Sequence, residues 1–97
     1  MENIVFRDWT CRLSRKAYSN RRIMLRLIDV ADGIPVATAT TNIPDSDLED
    51  GHVIIKSWAE NKGMADILMK AGVIGPQIRR ITNNNTSGSV HKYIGDI

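Results

Sequence analysis

At 97 residues, with 42% hydrophobic and 25% charged side chains, the chain has the size and composition of one globular domain, residues 1–97, with a modest core. It contains no run of about eighteen apolar residues, which excludes a membrane-spanning helix, and its first residues lack the basic start and apolar centre of a signal peptide. The single cysteine, Cys11, excludes an internal disulfide and fits a reducing, cytoplasmic compartment. The net charge of +2 is unevenly spread: residues 1–30 carry net +4, residues 31–66 net −5 and residues 67–97 net +3. Such blocks give a dipolar surface if the fold holds them apart, or cancel if strand pairing interleaves them.

In chain order, Ile4 to Leu13 reads as a first strand with imperfect alternation, in which Asp8 suggests a break or a bulge. Ser14 to Asn20 is polar and basic and reads as a connection. Arg22 to Ala31 is a clearer strand: Ile23, Leu25 and Leu27 fall on one face, and Met24, Arg26, Ile28 and Val30 on the other. Asp32-Gly33 then offers a tight turn into the β-branched run Ile34 to Thr41, so residues 22–41 form a hairpin. Pro35 lacks an amide donor and places that end at an edge or outside the pairing.

Asn42 to Gly51 reads as a solvated acidic loop, with Pro44 setting a turn. Asp45, Asp47 and Glu49 alternate, but no central glycine or late glutamate completes a calcium loop, so no metal is assigned. Val53 to Lys56 is a strand. Ser57 and Glu60 have the spacing of a capping box, with Asn61 as an alternative cap. Met64, Ile67, Leu68 and Ala71 form the apolar stripe of a short helix, and Gly72 suits the left-handed position past its end. A turn and strand follow from Val73 to Thr82, interrupted at Gly75-Pro76. Asn83 to Gly88 reads as a mobile turn, and Val90 to Ile94 as a last strand that pairs with 78–82. The expected fold class is α+β: a small antiparallel sheet of about four to five strands with one helix packed on one face.

No catalytic motif is present. His52 and His91 lie beside strands, and either could meet Cys11 or a Ser in the fold, but no local motif supports it; Cys11 has only Arg12 beside it, and nothing resembles a zinc site or phosphate loop. The chain is therefore expected to be non-enzymatic and to need no cofactor. Two segments remain as candidate binding residues: the basic Arg12, Arg15, Lys16, Arg21 and Arg22, and the acidic Asp45, Asp47, Glu49 and Asp50. Opposed charge blocks favour salt-sensitive docking on a charged protein. The basic segment, with Trp9 and Tyr18, also allows nucleic-acid binding. Trp58 is either a core residue joining helix and sheet or an exposed anchor at the start of the helix.

Several pieces share a pattern: Leu25-Arg26-Leu27-Ile28-Asp29, Asp32-Gly33 with Pro35, Ala37-Thr38-Ala39-Thr40, Asn42-Ile43-Pro44, Val53-Ile54-Ile55-Lys56, Glu60-Asn61-Lys62-Gly63-Met64 and Ala71-Gly72-Val73-Ile74. Over about residues 24–74 they resemble a small domain-of-unknown-function family, family 4313, carried by bacterial phages and mobile elements. The first twenty residues and those past Gly75 lie outside the likeness. No activity is known for that family, so no site residue carries over. The resemblance implies a small accessory protein in the cytoplasm of a bacterial host. On that setting the expected function is to bind and modulate a host protein or defence complex, as an anti-CRISPR or other anti-defence inhibitor does. The alternative is a nucleic-acid-binding accessory protein that uses the basic N-terminal third.

Overall fold

A computed structural model describes residues 3–44, 46–83 and 86–97. Its strands are β1 (Ile4–Phe6), β2 (Trp9–Ala17), β3 (Ile23–Asp29), β4 (Pro35–Thr38), β5 (His52–Ile55), β6 (Arg79–Asn83) and β7 (Thr86–Lys92). A 3-10 turn (Ala59–Asn61) and one helix, α1 (Met64–Lys70), lie between β5 and β6. The fold is mixed α+β and mostly strand. All pairings are antiparallel, in a four-stranded sheet β1-β2-β3-β4 and a three-stranded sheet β5-β7-β6.

The segment after β4 joins the two sheets. Ala39 donates its amide to Leu25 on one side, while Thr41 donates to Ile54 and Lys56 to Ala39 on the other, with bond lengths of 2.8–3.0 Å. A Thr40–Ile55 bridge completes the seam. Along this composite sheet one face carries the main core: Phe6, Cys11, Leu13, Leu25, Leu27, Val53 and Ile55, closed by Met64 and Leu68 of α1. The segment before α1 ties two distant parts of the four-stranded sheet. Arg7, in the β1–β2 turn, donates to the Glu60 carbonyl at 2.8 Å, and Asn61 donates its side-chain Nδ2 to the Thr38 carbonyl at 2.8 Å.

Local sequence explains most elements. The 22–41 hairpin forms as the alternation predicts, with Leu25 and Leu27 inward. Its loop spans more than Asp32-Gly33: the Asp29 and Asp32 carboxylates accept the Ala31 and Ile34 amides at 2.9 Å, and Gly33 sits at φ 74°. Pro35 opens β4 opposite Ile28, beside an irregularity at Leu27/Ile28. Gly72, at φ 74°, ends α1 as expected.

Five expectations are corrected. The single first strand is a hairpin, because Arg7 takes a left-handed φ of 55° and Arg7-Asp8 becomes a two-residue turn between Phe6 and Trp9. Residues 14–17 are strand and not connection: the ladder with β3 continues to Ala17↔Ile23, and backbone pairing does not need apolar side chains. The β6–β7 hairpin extends through Asn83↔Thr86, so residues 86–88 are strand; residues 84–85 of the expected mobile turn lie outside the described residues.

The capping box is the fourth. Ala59, at φ 52°, and Gly63, at φ 84°, split the segment into two helical pieces, leaving Glu60 in the first. The Ser57 hydroxyl instead accepts the Ala65 amide at 3.0 Å, satisfying a free donor of α1 from outside the helix. Ser57→Ala is therefore expected to lower stability by about 1 kcal/mol, and Glu60→Ala to change it by less than about 0.5 kcal/mol. Urea unfolding of the two variants checks this; equal losses would restore the capping box.

The acidic loop is not simply solvated. Ile43 is buried and Leu48 half-buried against Ile54, Ile81 and Val90, forming a second small core on the other face of the three-stranded sheet. The loop thus covers one half of the outer face of the composite sheet. The half formed by β1–β4 stays open.

Candidate binding surface

Cross-strand partners of an antiparallel ladder share a face. On the open half, Arg12 pairs with Ile28, Ser14 with Arg26, Arg26 with Thr38, Lys16 with Met24 and Val5 with Thr10. These positions alternate with the core residues and hold no carboxylate. Arg12 and Lys16 are exposed. Arg26 and Lys56 line one hollow of about 340 Å³ with Pro35, Thr38 and Glu60. The Arg26 Nε is buried without a hydrogen-bond partner among the described residues. Val5, Val30 and Ile34 add exposed apolar surface in the same sheet and its hairpin loop.

The sequence candidates separate. Arg12 and Lys16 belong to the open face. Arg15 points to the other side of β2, where its guanidinium lies 4.9 Å from the Tyr93 ring centroid and donates to the Ile97 carbonyl at 2.8 Å. Arg15, Lys16 and Arg21 line a depression of about 440 Å³ with Ile23 and Ile97. Arg22 turns away from any free basic surface. Its Nη1 donates to the Ile43 carbonyl at 2.7 Å and the Ser46 hydroxyl at 3.0 Å, and its Nη2 to the Ser46 carbonyl at 2.6 Å, so it fastens the acidic loop.

Of the acidic candidates, Asp47, Glu49 and Asp50 are exposed, and Asp45 lies outside the described residues. Glu49 faces His52 at 3.8 Å, and the Asp47 carbonyl accepts the Arg79 guanidinium. Arg21, Arg22, Glu49, Asp50 and His52 surround one small cavity, so the basic and acidic blocks meet at this end of the molecule. They do not form two opposed poles.

Of the residues considered for catalysis, Cys11 and His91 are enclosed, while His52 is half-buried and lines the cavity beside Glu49. Cys11 is fully buried; burial, and then the nearby Asp29 carboxylate, push its thiol above the ordinary 9.0. A raised thiol pKa stabilises the fold while the unfolded thiol is also neutral. That contribution is lost as pH climbs past 9.0, where only the unfolded thiol ionises. Stability is therefore expected to fall above that pH, and an aromatic disulfide reagent to label Cys11 only on unfolding. Rapid labelling of the native chain would contradict this.

His91 and Ser89 are 0% and 4% exposed. The His91 Nδ1 lies 2.8 Å from the Gly75 carbonyl and must carry the proton, since a carbonyl only accepts. Its Nε2 then accepts the Ser89 hydroxyl at 2.7 Å. The spacing is that of a nucleophile and its base, but both side chains are sealed from solvent.

Trp58 is 44% exposed, with its indole N–H donated to the Ser87 carbonyl at 3.0 Å. It rims the sheet and does not join helix to core, which corrects the first of the two sequence readings. Arg26 and Lys56 were missed as candidates. The alternation already put Arg26 on the face opposite Leu25 and Leu27, but only strand register shows which face packs on the core and which is left open.

The fold and surface define a small, mostly β, α+β domain with an uncovered cationic sheet face. Comparison with family models, curated proteins and solved structures finds no match.

Proposed function

We propose that this chain is a non-enzymatic accessory protein that binds and modulates a protein partner through the open face of β1–β4. One observation carries the reading: Arg12, Lys16, Arg26 and Lys56 have no carboxylate partner among the described residues, and the face they share also exposes apolar side chains. Uncovered arginine next to apolar area suits the desolvated centre of a protein interface. The partner is expected to present an acidic rim. The setting of a phage or mobile element, with a host defence complex such as CRISPR–Cas as target, comes from the family resemblance alone. Affinity capture from bacterial lysate tests the reading: recovery of no stable protein partner would sink it.

The shared cationic face also favours a second reading, a nucleic-acid binder. Against it, no aromatic side chain lies among the paired positions of that face to stack on bases. A gel-shift titration across salt separates the two, because phosphate contacts weaken steeply as salt rises. No described helix is long and apolar enough to cross a membrane.

A further inference from the structure

The sheet order β5-β7-β6 leaves β6 at an edge, with only β7 beside it. A strand ladder uses one side of each strand, so alternate amides and carbonyls of Arg79–Asn83 face outward without a partner strand. Along this edge runs a depression of about 460 Å³ lined by Ile43, Asp47, Arg79, Arg80, Ile81 and Thr82, among others. Its chemistry is uneven. On the face toward the second core, Ile43 and Ile81 give an apolar floor beside Arg79 and Asp47, while Arg80 and Thr82 stand on the opposite face of β6. Arg79 is fixed by the Asp47 carbonyl, while Arg80 is exposed with no hydrogen bond or ion pair among the described residues.

We propose that β6 receives an extended acidic segment of a partner protein by strand addition. Its backbone would continue the β5-β7-β6 ladder, its carboxylates would reach the free guanidinium of Arg80 on one face, and its alternate apolar side chains would lie toward Ile43 and Ile81 on the other. Charge argues against a second copy of this chain as the occupant. Antiparallel self-pairing about Ile81 would set the two Arg80 side chains on diagonal neighbouring positions of one face, where like charges repel. This edge is separate from the open face of β1–β4, so either surface can fail without the other.

The test is nuclear magnetic resonance titration of the full chain with an acetylated peptide of alternating Glu and Val. Three controls accompany it: the same peptide N-methylated at alternate amides, its Lys-Val counterpart, and the chain without peptide across concentration. Strand addition requires amide shifts and exchange protection centred on residues 79–83. The Lys-Val and N-methylated peptides should not produce them. Arg80→Glu should weaken binding by about tenfold, the loss of one charge-assisted contact, while Lys62→Glu, exposed beside α1, should leave it unchanged. Equal binding of the N-methylated peptide, shifts centred on Arg12 and Arg26, or concentration-dependent pairing through residues 79–83 without peptide would each overturn the proposal.

Discussion

Gly88→Ala is expected to destabilise the chain by about 2 kcal/mol, the usual size of forced overpacking, and to lower its melting temperature by roughly 10 °C. A Cβ at Gly88 would lie 2.5 Å from the Ile54 Cγ2 and 3.0 Å from the Ile55 carbonyl oxygen. Neither neighbour can retreat easily: Ile54 is buried in the second core among Ile43, Ile81 and Val90, and the Ile55 carbonyl belongs to β5. Gly95→Ala is an internal control. The nearest neighbours of its Cβ are all atoms at the outer end of the Tyr93 ring, on a half-buried side chain that can turn aside at the cost of its exposed hydrogen bond to the Ile97 carbonyl. Thermal unfolding should therefore separate the two alanines clearly. If Gly88→Ala were as mild as Gly95→Ala, residues 86–88 would be the loose turn that the sequence suggests and not part of β7.

His91→Ala should cost more, about 3 kcal/mol, because it combines a core cavity with a buried carbonyl left unpaired at Gly75. Ser89→Ala should cost about 1 kcal/mol, the ordinary worth of one hydrogen bond. Since the two side chains bond to each other, the double variant should be less destabilised than the sum by about 1 kcal/mol. Strict additivity in denaturant unfolding would contradict the hydrogen-bonded pair. A nitrogen-edited spectrum supplies an independent check: the protected ring proton should sit on Nδ1.

How far the sequence foretold this fold depended on where side chains advertise structure. The 22–41 hairpin was legible because Leu25 and Leu27 alternate cleanly and Asp32-Gly33 supplies a turn. The end of α1 was legible because Gly72 takes the conformation that glycine permits at lowest cost. Elsewhere the decisive interactions are long-range. Asp8 marks an interruption of the first strand, but nothing local specifies a tight turn at Arg7-Asp8, since its left-handed residue is an arginine. Residues 14–17 and 86–88 carry no apolar signal, and their strands rest on backbone ladders whose partners lie elsewhere in the chain.

The site followed the same rule. The basic stretch was visible as composition, but its residues divide by register and turn geometry. Arg12 and Lys16 reach the open face, Arg15 leans on Tyr93, and Arg22 is spent on the loop carbonyls of Ile43 and Ser46. Arg26 and Lys56 become neighbours only because β3, β4 and the Ala39–Thr41 seam bring β5 alongside. The acidic stretch looked like a solvated patch, because the apolar contacts that hold it, Ile43 and Leu48 on the second core, cannot be seen without knowing which face β5 leaves bare.

The central claim is that the open face of β1–β4 is the docking surface. It is tested most directly by measuring the affinity of the captured partner for two double variants of equal charge change, Arg12→Glu/Arg26→Glu on that face and Lys62→Glu/Lys70→Glu beside and on α1. Loss of binding by at least about a hundredfold for the first pair, with the second pair near the parent, is the expected result. Equal losses would mean that net charge and not this surface drives association, and full binding by the first pair would contradict the assignment outright.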